Sequence, residues 1–382
     1  MKLAIVTSFP QDSARPRGGV EAVSVPLVRA LGRFADLAID VLTTDRECRQ
    51  PQQYEWEGVT IHRLPWEGRH VLRHAVGPGR RRVQAYLEAL KPDIIHAHDF
   101  YGLMIKGMAV PRVFTIHGFI YGDTLVSGQR FAWLRSRLWE RVEKEGWADQ
   151  PHIISISPYV RERLTGIARG IIHDIDNPID ESFFNVTRRE RKGTIFSAAI
   201  LCTRKNQFTL VEAVARLRDR GIDARLRLAG GPDGTDYIDR LKDLIRRRGM
   251  ADHVDLLGPI GREQVREELA AASAFALVSL EEGSPMGIEE AMAASVPVVT
   301  SNRCGMPYMV RDGESGFLVD PNEPEDIARR LEQILRDDDL RIRMGAKGCE
   351  IALDRFHPDK VARRTREVYL QALRDNQGRP RG

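Results

Sequence analysis

The chain has 382 residues, 42% of them hydrophobic and 29% charged, which provides for two domains of about 180 residues each and excludes a disordered chain. A net charge of +4 tolerates anionic ligands or an anionic membrane surface without singling out nucleic acid, and no nucleic-acid partner is expected. Cysteines at 48, 202, 304 and 349 show neither a metal-binding spacing nor a disulfide framework, which fits a reducing, cytoplasmic compartment.

Lys2 leads straight into the apolar run LAIVT, with no longer apolar core or small-residue cleavage site, so export is not expected. No uncharged stretch approaches the ~18–20 residues that span a bilayer, so membrane association is limited to peripheral contact. Short β-branched runs at 3–7, 38–42, 93–96, 113–116 and 153–156 alternate with amphipathic segments, the rhythm of a parallel sheet covered by helices. The loop after the first run ends PRGGVEAV, and a helix is expected to begin at Gly19 or Val20. Gly18 and Gly19 let backbone amides approach a ligand, although a tight turn accounts for the pair as well. Pro26 is expected to kink that helix. Farther on, IIHAHDFYG gathers His96, His98 and Asp99. Imidazole and carboxylate at this spacing can hold zinc, but no further ligand cluster accompanies them, and a strand tip lining a cleft is the simpler reading. His117 closes the next strand in TIHGF, where a lone histidine is more often structural than functional. Two basic stretches, HVLRHAVGPGRRR and RFAWLRSRLWERVEK, offer themselves to a membrane or an anionic acceptor. In the second, Phe131, Leu134, Leu138 and Val142 form a helical stripe, expected to pack on its own domain rather than lie in an interface.

The polar stretch from Asn177 through FFNVTRRERKG reads as an interdomain connection dividing residues 1–180 from 181–357. Beyond it, runs at 194–198, 225–229, 254–257, 274–278, 298–300 and 317–319, with helices at 207–220 and 237–248, describe a second doubly wound α/β unit. Within SAAILCTRKNQFTL, Arg204 and Lys205 occupy a strand-to-helix loop, where two cations can neutralise a diphosphate or remain solvated charges. Gly230 and Gly231 close one strand and Gly258 another, but neither forms the G-x-G-x-x-G fingerprint, which disfavours a hydride-transfer enzyme. In EEGSPMGIEEAMAASVPVV, Glu282 and Glu290 bracket a helix expected over 285–294, with Ser284 as its N-cap and Pro285 as its first residue. The rise from Pro285 to Glu290 is about 7.5 Å, the scale of a diphosphate joined to a ribose. A last helix is expected from 358, with apolar positions at Val361, Val368, Leu370 and Leu373 and a tail that frays after Asn376.

Together with the following PVVTSN and GMPYMVRDGESGFLVDPNEPEDIARRL, the Glu282–Glu290 pair resembles the E-x7-E signature of retaining GT-B glycosyltransferases of family 4. The resemblance implies an α/β, GT-B fold: two Rossmann-like, doubly wound parallel-sheet domains facing across a cleft, with the helix at 358–375 crossing back onto the first. It implies metal-independent, retaining transfer of a sugar from a nucleoside diphosphate sugar, with no other cofactor, to a hydroxyl of a glycan, lipid or small-molecule acceptor. Carried onto this sequence, the Gly18-Gly19 loop meets the donor's sugar and phosphate, and His117 contacts the sugar and polarises the reacting centre. His98 and Asp99 shape the acceptor side. Lys205 and Arg204 neutralise the leaving diphosphate, and Gly230, Gly258 and Ile260 border the nucleotide. Glu282 holds sugar hydroxyls beside Ser284, Met286 and Gly287, and Glu290 holds the ribose. One position departs from the pattern: Ile200 stands where the family has an arginine, five residues before Lys205, and Arg204 is the candidate to compensate. Two other readings keep the nucleotide sugar but lose the transfer. One is a GT-B epimerase or hydrolase that needs no acceptor, and the other is a nonenzymatic nucleotide-sugar-binding protein. Peripheral attachment at the inner face of the membrane is compatible with all three.

Overall fold

Leu3, Ala4, Ile5 and Val6 are fully buried because the strand they form is flanked by parallel neighbours on both sides. The structure is a computed structural model that describes residues 1–68, 70–126 and 130–377. It divides into two compact units, one of Met1–Ile120, Arg137–Pro178 and Pro358–Gly382, the other of Tyr121–Ser136 and Ile179–His357. The strands of the first unit are β1 (Lys2–Val6), β2 (Ala38–Asp45), β3 (Gln52–Trp56), β4 (Val59–Pro65), β5 (Ile94–His98), β6 (Arg112–Ile116), β7 (His152–Ser155) and β8 (Ile171–Asp174). They lie in the order β3-β4-β2-β1-β5-β6-β7-β8, parallel throughout except for the β3–β4 pair.

Three of these strands go beyond the expected series, each for a physical reason. β3 and β4 are joined by Glu57 and Gly58, at φ 48° and 79°, a two-residue turn with both φ values positive that matches the twist of a hairpin. The Glu-Gly pair is not one of the strong hairpin signals, and β3 is a polar edge strand with little burial. β8 is a four-residue edge strand, half-buried to exposed, too short for its pattern to register.

The second unit holds β9 (Thr194–Ala198), β10 (Arg225–Ala229), β11 (Val254–Gly258), β12 (Ala274–Leu277), β13 (Val298–Ser301) and β14 (Gly316–Val319). Their order is β11-β10-β9-β12-β13-β14, all parallel. Strand order reverses between β9 and β12, and in such sheets the crevice beyond the carboxyl ends of the two strands is where ligands bind. The loops carrying Arg204–Lys205 and Glu282 follow those two strands.

The helix Pro358–Gln377 buries Val361, Ala362, Val368, Tyr369 and Ala372 in the first unit's core, against residues of β1, β2 and the helix Gly19–Leu31. Arg33–Asp359 at 2.5 Å and Arg366–Asp36 at 2.6 Å fasten its outer face. Leu370 and Leu373 are only half-buried, while Tyr369 supplies the bulk that the apolar pattern did not assign. The expected tail lies, from residue 378, outside the described residues. The helix Gly19–Leu31 continues through the buried Pro26. The expected first domain, 1–180, needs one correction: Tyr121–Ser136 belongs with the second unit, where Asp123 pairs with Arg204 at 3.4 Å.

Candidate active site

In the second unit the two loops beyond β9 and β12 are lashed together by backbone geometry. Asn206 adopts a left-handed conformation (φ 58°), and its side-chain amide donates to the carbonyls of Val278 at 3.2 Å and Pro321 at 2.7 Å. Leu280 N donates to the Arg204 carbonyl at 2.8 Å. Gly305 N donates to the Glu282 carbonyl at 2.9 Å. A Cβ at Gly305 would come 1.7 Å from the Gly283 carbonyl, so only glycine allows this approach. The result is a tight charge cluster. Lys205 Nζ forms a short ion pair with Glu282 Oε1, Arg204 Nη1 lies 3.0 Å from the same oxygen, and Arg204 also donates to the Glu281 carbonyl at 3.0 Å. Burial pushes the Glu282 carboxyl up, but Lys205 and Arg204 outweigh it and hold the group below the usual range. Two cations, Lys205 and Arg204, thus converge on Glu282, with Asp123 on the far side of Arg204, a setting in which both can also reach an anion. Ile200, beyond β9, is 46% exposed and carries no charge, and Arg204 brings the second cation to the carboxylate. Half-exposed Asp123, whose carboxyl is pushed to about 6 by burial against the pull of Arg204, flanks the cluster. Asn206 and Gly305 were not singled out from sequence; an Asn directly before a helix is the signal that would have found the first.

The helix beside this cluster runs Met286–Ala293, one residue later than expected, with Pro285 in extended conformation as its N-cap. Ser284 does not cap it. Its hydroxyl donates instead to Glu289 Oε1 at 2.6 Å, because the fully buried Glu289 carboxylate needs a donor more than the exposed-side amides do. The first-turn N–H groups therefore have no side-chain cap. Met286 is half-buried at this end, and Gly287 is required by packing, since a Cβ there would sit 2.9 Å from Phe275 Cζ and 3.2 Å from the Ala198 carbonyl. Glu290 is half-buried on the same helix. Burial drives its carboxyl up to about 8, with Arg262 opposing and Asp180 reinforcing the shift, and those two side chains pair at 2.9 Å.

Two glycines expected to border a nucleotide have structural duties. Gly230 (φ 140°) donates to the Gly258 carbonyl at 2.9 Å, and a Cβ on it would lie 1.9 Å from the Ala199 carbonyl. Gly258 ends β11 in a left-handed conformation (φ 69°), and Ile260 packs half-buried on the core beneath. Gly18 and Gly19 are the opposite case. Neither has a left-handed φ, and a Cβ on either would meet nothing within 4 Å. The folded chain itself gives no steric reason for glycine at either position. Gly19→Ala is accordingly expected to keep stability within about 0.5 kcal/mol, whereas Gly230→Ala is expected to lower the melting temperature. Calorimetry of the two variants checks the contrast.

In the first unit, His98, Asp99 and His117 come together at the ends of β5 and β6. Asp99, at φ 48°, accepts the His117 backbone N–H at 2.9 Å. His98 Nδ1 and His117 Nε2 are 2.8 Å apart, and His117 Nδ1 is 3.0 Å from Asn177 Oδ1. His98 is completely buried, so any shaping of the acceptor side by it passes through His117. His96 is structural: its nitrogens reach the Tyr369 hydroxyl and Thr115 Oγ1, both at 2.7 Å, tying the last helix to the sheet. Among the described residues no group of three or more His, Cys, Asp or Glu side chains is arranged to hold a metal ion.

The basic stretches divide. In the first, Arg82 pairs with Glu67 at 2.7 Å, Arg80 donates to the Lys106 carbonyl at 2.6 Å and buried His74 stacks on Trp66, beside an open depression of about 520 Å³ lined by Arg46, Trp66, Gly68 and His70. The second corrects the expectation of a packed stripe. In the helix Ala132–Ala148 it is Ser136, Trp139, Glu143, Gly146 and Trp147 that are buried, while Trp133, Leu134 and Leu138 are 60%, 55% and 52% exposed, and Phe131 just before it is 60% exposed. Spacing alone could not tell which of two candidate faces meets the core. No helix among the described residues is long and apolar enough to cross a membrane.

A family model described as Glycosyl transferases group 1 matches residues 178–350, and one described as Glycosyltransferase Family 4 matches residues 17–183. A D-inositol 3-phosphate glycosyltransferase of Streptomyces scabiei (strain 87.22) is 37% identical over 173 residues, covering 44% of this chain and 39% of that protein. With this and two further Streptomyces relatives, the match spans only 37% to 39% of the relative's length. Among solved structures, sucrose-phosphate synthase from Thermosynechococcus elongatus aligns with a TM-score of 0.84 at 21% identity, over 98% of this chain and 99% of that one. HepE of Anabaena, solved with UDP and glucose, aligns with a TM-score of 0.75 at 18% identity, over 97% of this chain and 100% of that one. At these identities the likeness is one of fold.

Proposed function

This chain belongs to family 4 of the glycosyltransferases and has their GT-B fold, and on that premise we propose that it transfers a sugar from a nucleoside diphosphate sugar to an acceptor hydroxyl, retaining configuration and without a metal. The observation that carries the reading is the Glu282–Lys205–Arg204 cluster beside the uncapped start of the helix Met286–Ala293, at the switch point of the second sheet. In the transfer, the bond between the anomeric carbon and the diphosphate oxygen breaks and a bond to the acceptor oxygen forms, the acceptor's proton passing to the departing phosphate. Charge then accumulates on the diphosphate, where Lys205, Arg204 and the amides of Met286 and Gly287 stabilise it. Glu282 takes donor-sugar hydroxyls, Glu290 the ribose, Gly258 and Ile260 the base, and Gly18-Gly19 the approach of sugar and phosphate. His117 meets the sugar, and Asp99 faces the acceptor side. HepE, of the same fold, was solved with UDP and glucose, which supports a nucleotide-sugar donor here.

Nucleotide release from a panel of UDP-, GDP- and ADP-sugars, with and without glycan, lipid and small-molecule acceptors, tests the proposal. Acceptor-dependent release supports a transferase. Release without acceptor points to a hydrolase, rearranged donor to an epimerase, and binding alone to a nonenzymatic protein.

The acceptor is proposed to be met at an anionic membrane surface. The exposed side of the helix Ala132–Ala148 sets Trp133, Leu134 and Leu138 beside Arg137 and Arg141, the pairing of apolar insertion with lipid charge that an interfacial helix uses. Leu134→Ser combined with Leu138→Ser is expected to weaken binding to phosphatidylglycerol vesicles about tenfold or more. Co-sedimentation equal to wild type, or equal binding to phosphatidylcholine vesicles, rejects this surface.

A further inference from the structure

His117 has both ring nitrogens committed within its own unit, to His98 Nδ1 at 2.8 Å and to Asn177 Oδ1 at 3.0 Å. The two ring protons, one on each histidine, could be distributed along this line in more than one way, and the far end of His98 decides among them. His98 Nε2 is buried with no hydrogen-bond partner. An orphaned N–H in the interior is rarer and costlier than an orphaned lone pair. The proton of His98 therefore belongs on Nδ1, where it is donated to His117 Nε2. That nitrogen must then be a bare acceptor, so the proton of His117 sits on Nδ1 and is donated to the Asn177 carboxamide oxygen. Each hydrogen bond in the line fixes the next.

We propose that His98 and Asn177 are positioning residues that hold His117 as a neutral imidazole with its proton on Nδ1, so that it meets the donor sugar through its ring edge and main chain and not as a proton donor. This rests on the assignment of His117 to the donor side given above. The chemistry favours the arrangement. As the bond to the diphosphate breaks, the anomeric carbon becomes electron-poor, and an imidazolium beside it would oppose that charge, whereas a neutral ring does not. The groups facing His117 are His98, Asn177 and Asp99, with the His96 ring tilted behind His98 at 4.4 Å between ring centroids. Burial holds the rings of His96, His98 and His117 neutral, and only Asp99 and Asn177 pull His117 the other way. Asn177 3% exposed and His98 0% exposed are sealed from solvent, so the line is preset before any ligand arrives.

The tautomer is read directly by nitrogen NMR of the full chain labelled with 15N-histidine, without donor. The expected result is a protonated Nδ1 and an unprotonated Nε2 on His117, unchanged between about pH 5.5 and 8. A proton on His117 Nε2, or on both nitrogens in that range, overturns the proposal. This measurement needs no turnover, so it stands or falls separately from the glycosyltransferase reading. In catalysis, Asn177→Asp puts a carboxylate in the same place and is expected to raise the His117 pKa by about 1–3 units. kcat should then fall about tenfold one pH unit below the new pKa, with the donor KM little changed. Asn177→Ala should lower kcat without creating that pH dependence. A pH profile of Asn177→Asp superimposable on wild type also overturns the proposal.

Discussion

Lys205→Ala is expected to lower kcat by about 10²–10³-fold while leaving the protein folded, the loss typical of removing one preorganised donor from a site where negative charge develops. The geometry gives the reason for both halves. Lys205 Nζ reaches Glu282 through an ion pair in which Arg204 also takes part at 3.0 Å, so truncating the lysine does not leave the buried carboxylate without a cation. The fold keeps its compensation, and the reaction loses half of its cationic support. Arg204→Ala is expected to cost about as much, because Ile200 supplies nothing in the place where the family has an arginine. Ile200 is 46% exposed, so an arginine fits there without burying an unpaired charge. The test of compensation is therefore a rescue: Ile200→Arg should restore much of the activity lost in Arg204→Ala and add little to wild type. Steady-state kinetics on the donor identified by the nucleotide panel, with melting curves alongside, reads all four proteins. Wild-type kcat in Lys205→Ala, or no rescue by Ile200→Arg, removes these two cations from the reaction.

What the sequence disclosed and what it hid follow from how far each signal reaches. The alternation of buried strands with amphipathic helices is local, and both parallel sheets were legible from it, as was the docking of the last helix through Val361 and Val368. The β3–β4 hairpin was hidden because its Glu-Gly turn and polar edge strand look like a loop. Arg204, Lys205 and Glu282 could be named one by one, but their convergence on a single oxygen depends on Asn206 and Gly305 joining loops 77 residues apart in the chain. Ser284 shows the limit of capping rules. The helix starts one residue later than its spacing implied, and a buried acid five residues on claimed its hydroxyl. The helix Ala132–Ala148 shows the limit of periodicity, which gives the stripe and not the side that faces inward.

Donor affinity is expected to rise with pH through neutrality and level off above about 8, and Glu290→Gln is expected to abolish that rise. Burial pushes the Glu290 carboxyl up to about 8 in the free protein, so at pH 7 most molecules hold it protonated. A ribose presents two hydroxyl donors, and a carboxylate accepts both, whereas a carboxylic acid must turn one oxygen into a donor itself. Binding therefore favours the ionised form and must expel the proton, an expense that disappears once the pH exceeds the free-protein pKa. The sign for stability is opposite. The unfolded chain releases this proton near the ordinary glutamate value of 4.5 while the folded chain keeps it to about 8, so the folded state binds more protons between those limits. Its stability must fall as pH rises across that window and flatten above it. Asp123, pushed up to about 6 but half-exposed beside Arg204, adds a smaller fall of the same sign at the acid end. Glu290→Gln, neutral at every pH, should melt at a temperature nearly independent of pH from about 6 to 8 and bind donor about 10-fold or more weakly at pH 8, where about half of the wild type is already ionised. Calorimetric titration of the donor at pH 6, 7 and 8 with matched melting curves measures both slopes. Parallel slopes in wild type and Glu290→Gln would mean that another group carries the proton, and that the ribose is held elsewhere.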